Sequence, residues 1–451
     1  PEFYSKQANL EKNNEDLIRH YLHEGWYKGY DPSSEFNTNF YLISNPDVKR
    51  TKVNPLVHYI TNGKNEGRSP NGLIQLNKND QKKVDEQHVE KVDLDNKIVS
   101  PGIKVIAFYL PQFHAIPEND EWWGKGFTEW TNVKPAKKNF DTHYQPHVPE
   151  QLGYYDLKDE KILLRQARLA SLYGVNAFCF YFYWFNGKTL LEDPIKNINQ
   201  FENINIDFCL CWANENWTRR WDGLENDILI SQKHSEKDDI EFIKYVSKYF
   251  NSKRYLRVDN KPVLIVYKTD LLPDPKATAK RWRKWCLDNN IGEIYLIKTS
   301  AFDDVKPTSI DFDHVTEFAP HFKNISQYDK NDLKINKHFK GNLLRWKDLL
   351  DRSKNYEKIK DNYSRCINPS WDNTPRKKNK SIIWIGSQPR LFQYFAENSL
   401  RDTLENIKKT KGLMFINAWN EWGEGAHLEP DQKYGYGYLE ALRQALIKTA
   451  I

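Results

Sequence analysis

The sequence predicts an α/β protein, a (β/α)8 TIM barrel preceded by a small all-helical repeat module. From residue 101 onward, strand-length apolar runs alternate with amphipathic segments of helical length, and eight such alternations occur, the number that closes a parallel barrel. At the end of run after run, tryptophans, amides and acids gather, as the C-terminal rim of a barrel would place its reactive groups. A repeat near the N-terminus predicts the separate module.

In residues 1–75, His20-Tyr21 followed by Gly25, Gly29 and Pro32 recurs with unchanged spacing as His58-Tyr59 followed by Gly63, Gly67 and Pro70. Each copy reads as a short amphipathic helix (Leu17, Ile18, Tyr21, Leu22; Leu56, Val57, Tyr59, Ile60) closed by glycine and then proline. Without clustered acids, the module reads as docking or accessory. Residues 76–100 are polar and lack aromatics, the composition of a linker. Over 101–451 the predicted strands are 103–109, 175–182, 206–212, 262–267, 293–298, 312–318, 382–386 and 413–419, with helices at 158–173, 237–250, 275–289, 397–409 and 435–448. A doubly wound open sheet is the alternative. It asks for a phosphate-binding glycine loop after an early strand, and Pro111-Gln112-Phe113-His114 is not one.

Composition narrows the function. Net charge is +6 over 451 residues that are 28% charged, with no dense Lys/Arg block, so nucleic acid is not suggested. No apolar run is long enough to span a membrane and the N-terminus has no signal-peptide pattern; with free cysteines, this leans toward the bacterial cytoplasm as an expectation. The five cysteines form no disulfide framework. Cys179, Cys209 and Cys211 sit in strand-like runs as small buried hydrophobes, and no metal or other cofactor is predicted. Aromatics make up 14% of the chain, with 15 Trp, which suits either a large aromatic core or a glycan site.

The chemistry is expected at the strand ends. The last apolar run ends Trp419-Asn420-Glu421-Trp422-Gly423-Glu424-Gly425. Two carboxylates beside indole rings are what sugar chemistry asks for: an acid for the departing oxygen, a second group at the electrophile, and flat apolar faces for a pyranose. A solvated acidic turn is the bland alternative, and it has no use for Trp419 and Trp422. The other rims supply Tyr109, Gln112 and His114; Glu129 and Trp130 in the following loop; Tyr183 and Trp184; Trp212, Asn214, Glu215 and Trp217; and Glu317 and His321. Singly, His114 or His321 reads more readily as a structural histidine. Together these residues describe a polar cleft with aromatic walls, with Glu421 and Glu424 as catalytic candidates and Tyr109, Gln112, His114, Trp130, Tyr183, Trp184, Trp212, Asn214, Glu215, Trp217, Glu317, His321, Asn420 and Trp422 as substrate-binding candidates.

These motifs carry a family resemblance. Ala107-Phe108-Tyr109-Leu110-Pro111-Gln112-Phe113-His114, Gly126-Phe127-Thr128-Glu129-Trp130, the run Trp212 to Trp221, Trp371-Asp372-Asn373-Thr374-Pro375-Arg376 and Trp419 to Gly425 resemble the WbsX-like polysaccharide-biosynthesis family. That family is related to glycoside hydrolase family 99, endo-α-mannosidases and endo-α-mannanases on a (β/α)8 barrel. The N-terminal repeat, Asn54-Pro55-Leu56-Val57-His58-Tyr59 through Pro70, resembles modules that accompany polysaccharide-assembly enzymes. It implies assembly proteins as partners beside an oligo- or polysaccharide substrate.

The resemblance to family 99 implies a retaining mechanism. Glu421 would take the proton of the substrate's own 2-hydroxyl, so that O2 closes a 1,2-anhydro sugar, and Glu424 would serve as acid and then base. At rest Glu424 would be protonated and Glu421 ionised. Only sugars with O2 trans to the leaving group can close that ring, which favours α-linked mannose or rhamnose. Family 99 has His where this chain has Gly423. The alternative is a glycosyltransferase of bacterial surface-polysaccharide assembly, against which stands the absence of a Gly-rich phosphate loop; Asp311-Phe312-Asp313 lies at a strand's entrance. A non-catalytic glycan-binding barrel is the third reading.

Overall fold

The computed structural model describes residues 2–70 except 9, 11, 12, 34, 35, 37, 39, 40, 43, 44, 67 and 69, and residues 102–449 except 202–205, 220–223, 301–305, 321–324, 332 and 360. The predicted linker, 76–100, and His321 lie outside the described residues. The chain divides into two compact units, 1–87 and 88–451.

In the first unit, each copy of the repeat builds the same contact. The helix Asn14–His20 widens into a π turn over Tyr21–Gly25, and Pro55–His58 into Tyr59–Gly63. Tyr4 Oη meets His20 Nδ1 at 2.5 Å, and Tyr41 Oη meets His58 Nδ1 at 2.9 Å. A Cβ on Gly25 or Gly63 would lie 1.9 Å from the corresponding tyrosine oxygen. The repeated glycines are there for close approach.

The second unit is a nearly closed parallel barrel with helices around it. Its strands are β1 (Lys104–Tyr109), β2 (Ala177–Phe185), β3 (Asp207–Trp212), β4 (Lys261–Val266), β5 (Tyr295–Thr299), β6 (His314–Thr316), β7 (Tyr363–Ser364 and Cys366–Ile367) and β8 (Leu413–Ile416). Each pairs in parallel with its chain neighbour, and β8 pairs with β1. The ring closes at β7, whose first half pairs with β6 and second half with β8. The crossovers carry α1 (Glu160–Leu172), α2 (Asp193–Gln200), α3 (Glu236–Phe250), α4 (Pro275–Asp288), α5 (Lys347–Lys354) and α6 (Pro389–Glu405), and α7 (Gly437–Thr449) follows β8. Asp159, Ser235 and Asp274 cap α1, α3 and α4 by accepting from backbone amides of the first turn. Among the described residues no helix is long and apolar enough to cross a membrane.

The predicted seventh strand is corrected. Ile382–Ile385 pairs with Asn342–Arg345 in a separate two-stranded sheet, and the barrel's own seventh strand is the shorter run 363–367. That run is interrupted at Arg365, so it shows no apolar stretch for periodicity to find.

Strand parity decides which side chains reach the interior. Phe108, Cys179, Tyr181, Cys209 and Cys211 alternate with Tyr109, Phe182 and Trp212, and registered neighbours share a face. Phe108 packs against Tyr181, Phe318 and Phe415 inside the barrel, while Phe182 and Trp212 pack outward on Phe242 of α3.

At the β6/β7 seam the chain uses charge in place of a longer ladder. Glu317, 1% exposed, accepts from the Cys366 amide and from Tyr363 Oη, and ion-pairs with Arg352 and Arg365. Burial pushes its carboxyl up, but the two guanidinium groups outweigh this and hold it below the usual range. Removing one partner of a buried pair leaves uncompensated charge, at a typical cost of about 3–5 kcal/mol. Glu317→Ala is therefore expected to lower unfolding free energy by about that amount in urea titration, and a change within about 0.5 kcal/mol, as for an ordinary surface site, would contradict this role.

Candidate active site

The strand ends and loops on one rim surround a cleft of about 640 Å³. Leu110 and Gln112 follow β1, Tyr181 and Tyr183 end β2, and Glu215 and Trp217 follow β3. Tyr267 and Lys268 follow β4, Phe318 follows β6, Trp371, Asn373 and Arg376 follow β7, and Glu421 and Glu424 follow β8. Trp123, from the long β1 loop, completes the wall.

The β8 rim is a tight turn. Asn420–Glu421 pairs antiparallel with Ala426–His427, and a 3-10 turn over Trp422–Glu424 joins them. Gly425 has φ +60°, and a Cβ there would meet the Asp372 backbone nitrogen at 3.0 Å, so the segment after β7 lies directly on the turn. The Asp372 amide donates to the Glu424 carbonyl at 2.6 Å and Ser370 Oγ to the Gly425 carbonyl.

That segment delivers Arg376 to the carboxylates. Its Nη2 donates to Glu421 Oε2 at 2.9 Å, its Nη1 to Glu424 Oε1 at 2.8 Å, and its Nε to Glu129 Oε1 at 2.8 Å. One planar fork thus holds three acids. An ideal Cβ on Gly423 would lie 1.9 Å from Glu129 Oε1 and 2.7 Å from Arg376 Nε; the space a side chain would take at 423 belongs to this ion pair.

Glu421 is the more enclosed member of the pair. The Glu421 side chain is 6% exposed and that of Glu424 is 23% exposed. Burial pushes Glu421 up to about 8, with Arg376 pulling it down and Glu424 and Glu129 pushing it further up. Glu421, expected to be ionised at rest, is the enclosed group for which ionisation is costly.

A second buried carboxylate braces the turn from behind. Glu429 accepts from Trp419 Nε1, Trp422 Nε1, Tyr155 Oη and Gln166 Nε2 at 2.6–2.9 Å. Burial raises it to about 7, and the four donors oppose that. Trp422 also stacks on His427, with centroids 3.7 Å apart. Trp419 and Trp422 therefore orient the turn from within the core and offer no sugar platform.

Of the expected substrate-binding residues, the cleft brings together Gln112, Tyr183, Glu215 and Trp217 beside Glu421 and Glu424. The others among the described residues are placed elsewhere. Tyr109 faces outward and donates to Gln166 of α1 at 2.7 Å. His114 is fully buried, and burial lowers its pKa. Trp130 is in the core, its indole donating to the Tyr155 carbonyl. Trp184 donates to Asp238 of α3, and Trp212 packs in one cluster with Phe242 and Trp282. Glu317 belongs to the seam. Asn214 and Asn420 are clamps: each amide side chain bonds both backbone groups of one residue beyond a neighbouring strand, Lys268 and Leu110 respectively. They extend the parallel ladder past the strand ends.

Sequence reasoning assigned no role to Arg376, Tyr267 or Lys268, whereas Tyr181, Trp123 and Trp371 reach the cleft as members of the strand-end and loop clusters. Arg376 appeared in the sequence only as the end of a motif, since nothing local shows that it and Glu129 meet the Glu421/Glu424 turn. Lys268 meets Glu215 at 2.8 Å, placing a second ion pair across the cleft.

Outside the cleft, His147, His427 and Asp431 could hold a metal ion, their ligand atoms lying within 4.8 Å of one another. The two imidazoles already satisfy each other. His427 Nδ1 donates to the Glu429 carbonyl, leaving Nε2 to accept from His147 Nδ1 at 2.9 Å, and burial keeps both rings neutral, His147 at about 4.

Trp212 and Trp217 should separate cleanly. Trp212→Ala is expected to cost about 3–5 kcal/mol in chemical unfolding. Trp217→Ala, at the cleft wall, should cost well under half of that. Equal losses would show that Trp217 is also core.

Over 347 residues the chain is 47% identical to proteins described as "Uncharacterized protein WxcX" from two strains of Xanthomonas campestris pv. campestris, covering 76% of this chain and 50% of theirs. The chain spans about half the length of the curated relatives it matches. Among solved structures, a glycoside hydrolase-like protein matches with TM-score 0.49 at 15% identity, over 81% of this chain and 98% of its own. The GH99 endo-α-mannosidase from Bacteroides thetaiotaomicron matches with TM-score 0.40 at 15% identity, over 77% and 95%. The family model described as "Glycosyltransferase WbsX" matches residues 105–442, most of the chain, and the chain belongs to the WbsX family.

Proposed function

We propose that the chain is a retaining glycoside hydrolase or transglycosylase acting on an α-linked manno-configured glycan, mannose or rhamnose. The observation that carries this reading is the pair Glu421 and Glu424 on one turn, sharing Arg376 in a cleft walled by aromatic rings. Ionised Glu421 accepts the 2-hydroxyl proton, O2 bonds to C1, and the C1–oxygen bond to the leaving group breaks as Glu424 delivers a proton to that oxygen. Glu424 then takes a proton from water, which opens the anhydro ring at C1, and O2 recovers its proton from Glu421. Two displacements at C1 give net retention. Arg376, together with the substrate hydroxyl that donates to Glu421, favours the ionised base that burial disfavours. The aromatic rings at Trp217, Trp123 and Tyr183 present faces and edges to a pyranose.

The second reading is a glycosyltransferase of surface-polysaccharide assembly, supported by the description of the family. Against nucleotide-sugar binding at Asp311-Phe312-Asp313, both acids are engaged by Arg283 at the entrance to β6, the end of the barrel away from the cleft. The first unit, in this reading as in the other, docks assembly partners or the acceptor glycan. Incubation with α-manno- and α-rhamno-oligosaccharides, with and without nucleotide sugars, separates the readings by product mass. Extension that requires the nucleotide sugar would favour transfer.

With an α-manno substrate carrying an activated aryl leaving group, Glu424→Gln should retain a measurable first step, because that leaving group needs no proton. Glu421→Gln should lose about 100-fold to 10,000-fold, the usual contribution of a general base. The 2-deoxy analogue should be inert. Turnover of that analogue, or a glycosyl adduct on Glu421 by mass spectrometry, would exclude the anhydro-sugar route.

A further inference from the structure

The fork that reaches the two glutamates is itself anchored. Glu129 is fully buried and takes Arg376 Nε at 2.8 Å, which fixes the guanidinium plane and aims Nη1 and Nη2 at Glu424 and Glu421. Room for this anchor exists only because residue 423 has no Cβ, whose ideal position is 1.9 Å from Glu129 Oε1. Three segments far apart in sequence, 126–130, 371–376 and 420–425, therefore meet at one point. Arg376 uses Nε and both Nη groups on carboxylates, so it is a device for holding acids.

We propose that Glu129 and Arg376, seated over Gly423, form a positioning unit that sets both the orientation and the proton affinity of the Glu421/Glu424 pair. The inference rests on the pair being the reacting carboxyls. Arg376 makes ionised Glu421 affordable in a buried site, and the charge on Glu129 limits that effect by competing for the same cation. Among the described residues, the charged and titratable groups facing Glu421 are Arg376, Glu424, Glu129, Tyr181, Tyr183 and Tyr267, with Glu215 and Lys268, paired to each other, in the same cleft; the tyrosines are buried with pKa values raised and stay neutral, so the balance lies mainly among the first three.

The unit makes predictions of opposite sign. Arg376→Met removes the attraction that lowers the Glu421 pKa, so the alkaline-going rise of kcat should move to higher pH, by about one to three pH units. Glu129→Gln keeps an acceptor for Nε and removes a negative charge, so the same limb should move to lower pH. Arg376→Lys should return the limb toward its original position while kcat stays low, since Lys restores charge but not the fork. A merely structural role moves neither limb. Shifts in one direction for both variants, or no shift, would overturn the inference. If Arg376→Met does not fold, Glu129→Gln decides alone, a downward shift supporting the inference and no shift overturning it.

A substrate-free measurement keeps this apart from the assigned reaction. In protein labelled with ¹³C at the glutamate carboxyls, the Glu421 signal is identified by its loss in Glu421→Gln, and its titration should shift as above in each variant. Shifted titrations with no turnover of any α-manno- or α-rhamno-oligosaccharide would sink the reaction and leave the positioning unit standing. Turnover with an unshifted titration would do the reverse.

Discussion

The rim of this barrel is organised by one electrostatic requirement: three carboxyl groups, those of Glu129 and Glu421 buried and that of Glu424 partly so, gathered around a single guanidinium. Buried like charges are costly unless a cation with matching geometry reaches them, and Arg376 supplies three donor directions in one plane. Much else follows from accommodating that fork. Gly423 is bare because the Glu129–Arg376 pair occupies its side-chain space, Gly425 turns left-handed because the Asp372 backbone lies against it, and the segment after β7 must approach the β8 turn closely enough to share hydrogen bonds with it.

Behind the fork, the turn is fixed by packing. Glu429 collects two indoles, a phenol and an amide, so Trp419 and Trp422 point away from the cleft with their nitrogens satisfied. Asn420 and Asn214 hold the strand ends in register where backbone pairing has run out. The cleft is thus backed by groups that cannot move without leaving buried donors unpaired.

Seven of the eight strands and the helices α1, α3, α4 and α7 were legible in the periodicity of the chain, because long apolar runs and capped amphipathic segments are local signals; the short α2 and α5 were not among the predicted helices, and α6 starts at Pro389, ahead of the predicted 397. The seventh strand was not legible, since 363–367 is short and carries a charged residue whose partners, Glu317 and Asp402, are distant in sequence. The site was legible as a place but only partly as a list. Glu421, Glu424, Gln112, Tyr183, Glu215 and Trp217 reach the cleft, whereas Trp130, Trp184 and Trp212 show that an aromatic near a strand end serves the core as readily as the rim. Parity would have placed Trp212: Cys209 and Cys211 share one face of β3, and Trp212 must take the other. Arg376 could be quoted as part of a motif without its role being visible, because that role exists only when three remote segments meet.

The claim on which this account depends most is that sugar chemistry occurs at the Arg376-held pair. The most direct measurement is a crystal structure of the Glu424→Gln protein with an α-linked manno-oligosaccharide bound. The account predicts a sugar ring against the aromatic wall with its 2-hydroxyl hydrogen-bonded to Glu421 and its glycosidic oxygen facing residue 424. A glycan seated elsewhere in the cleft, with its anomeric carbon beyond hydrogen-bond reach of both positions, would contradict it.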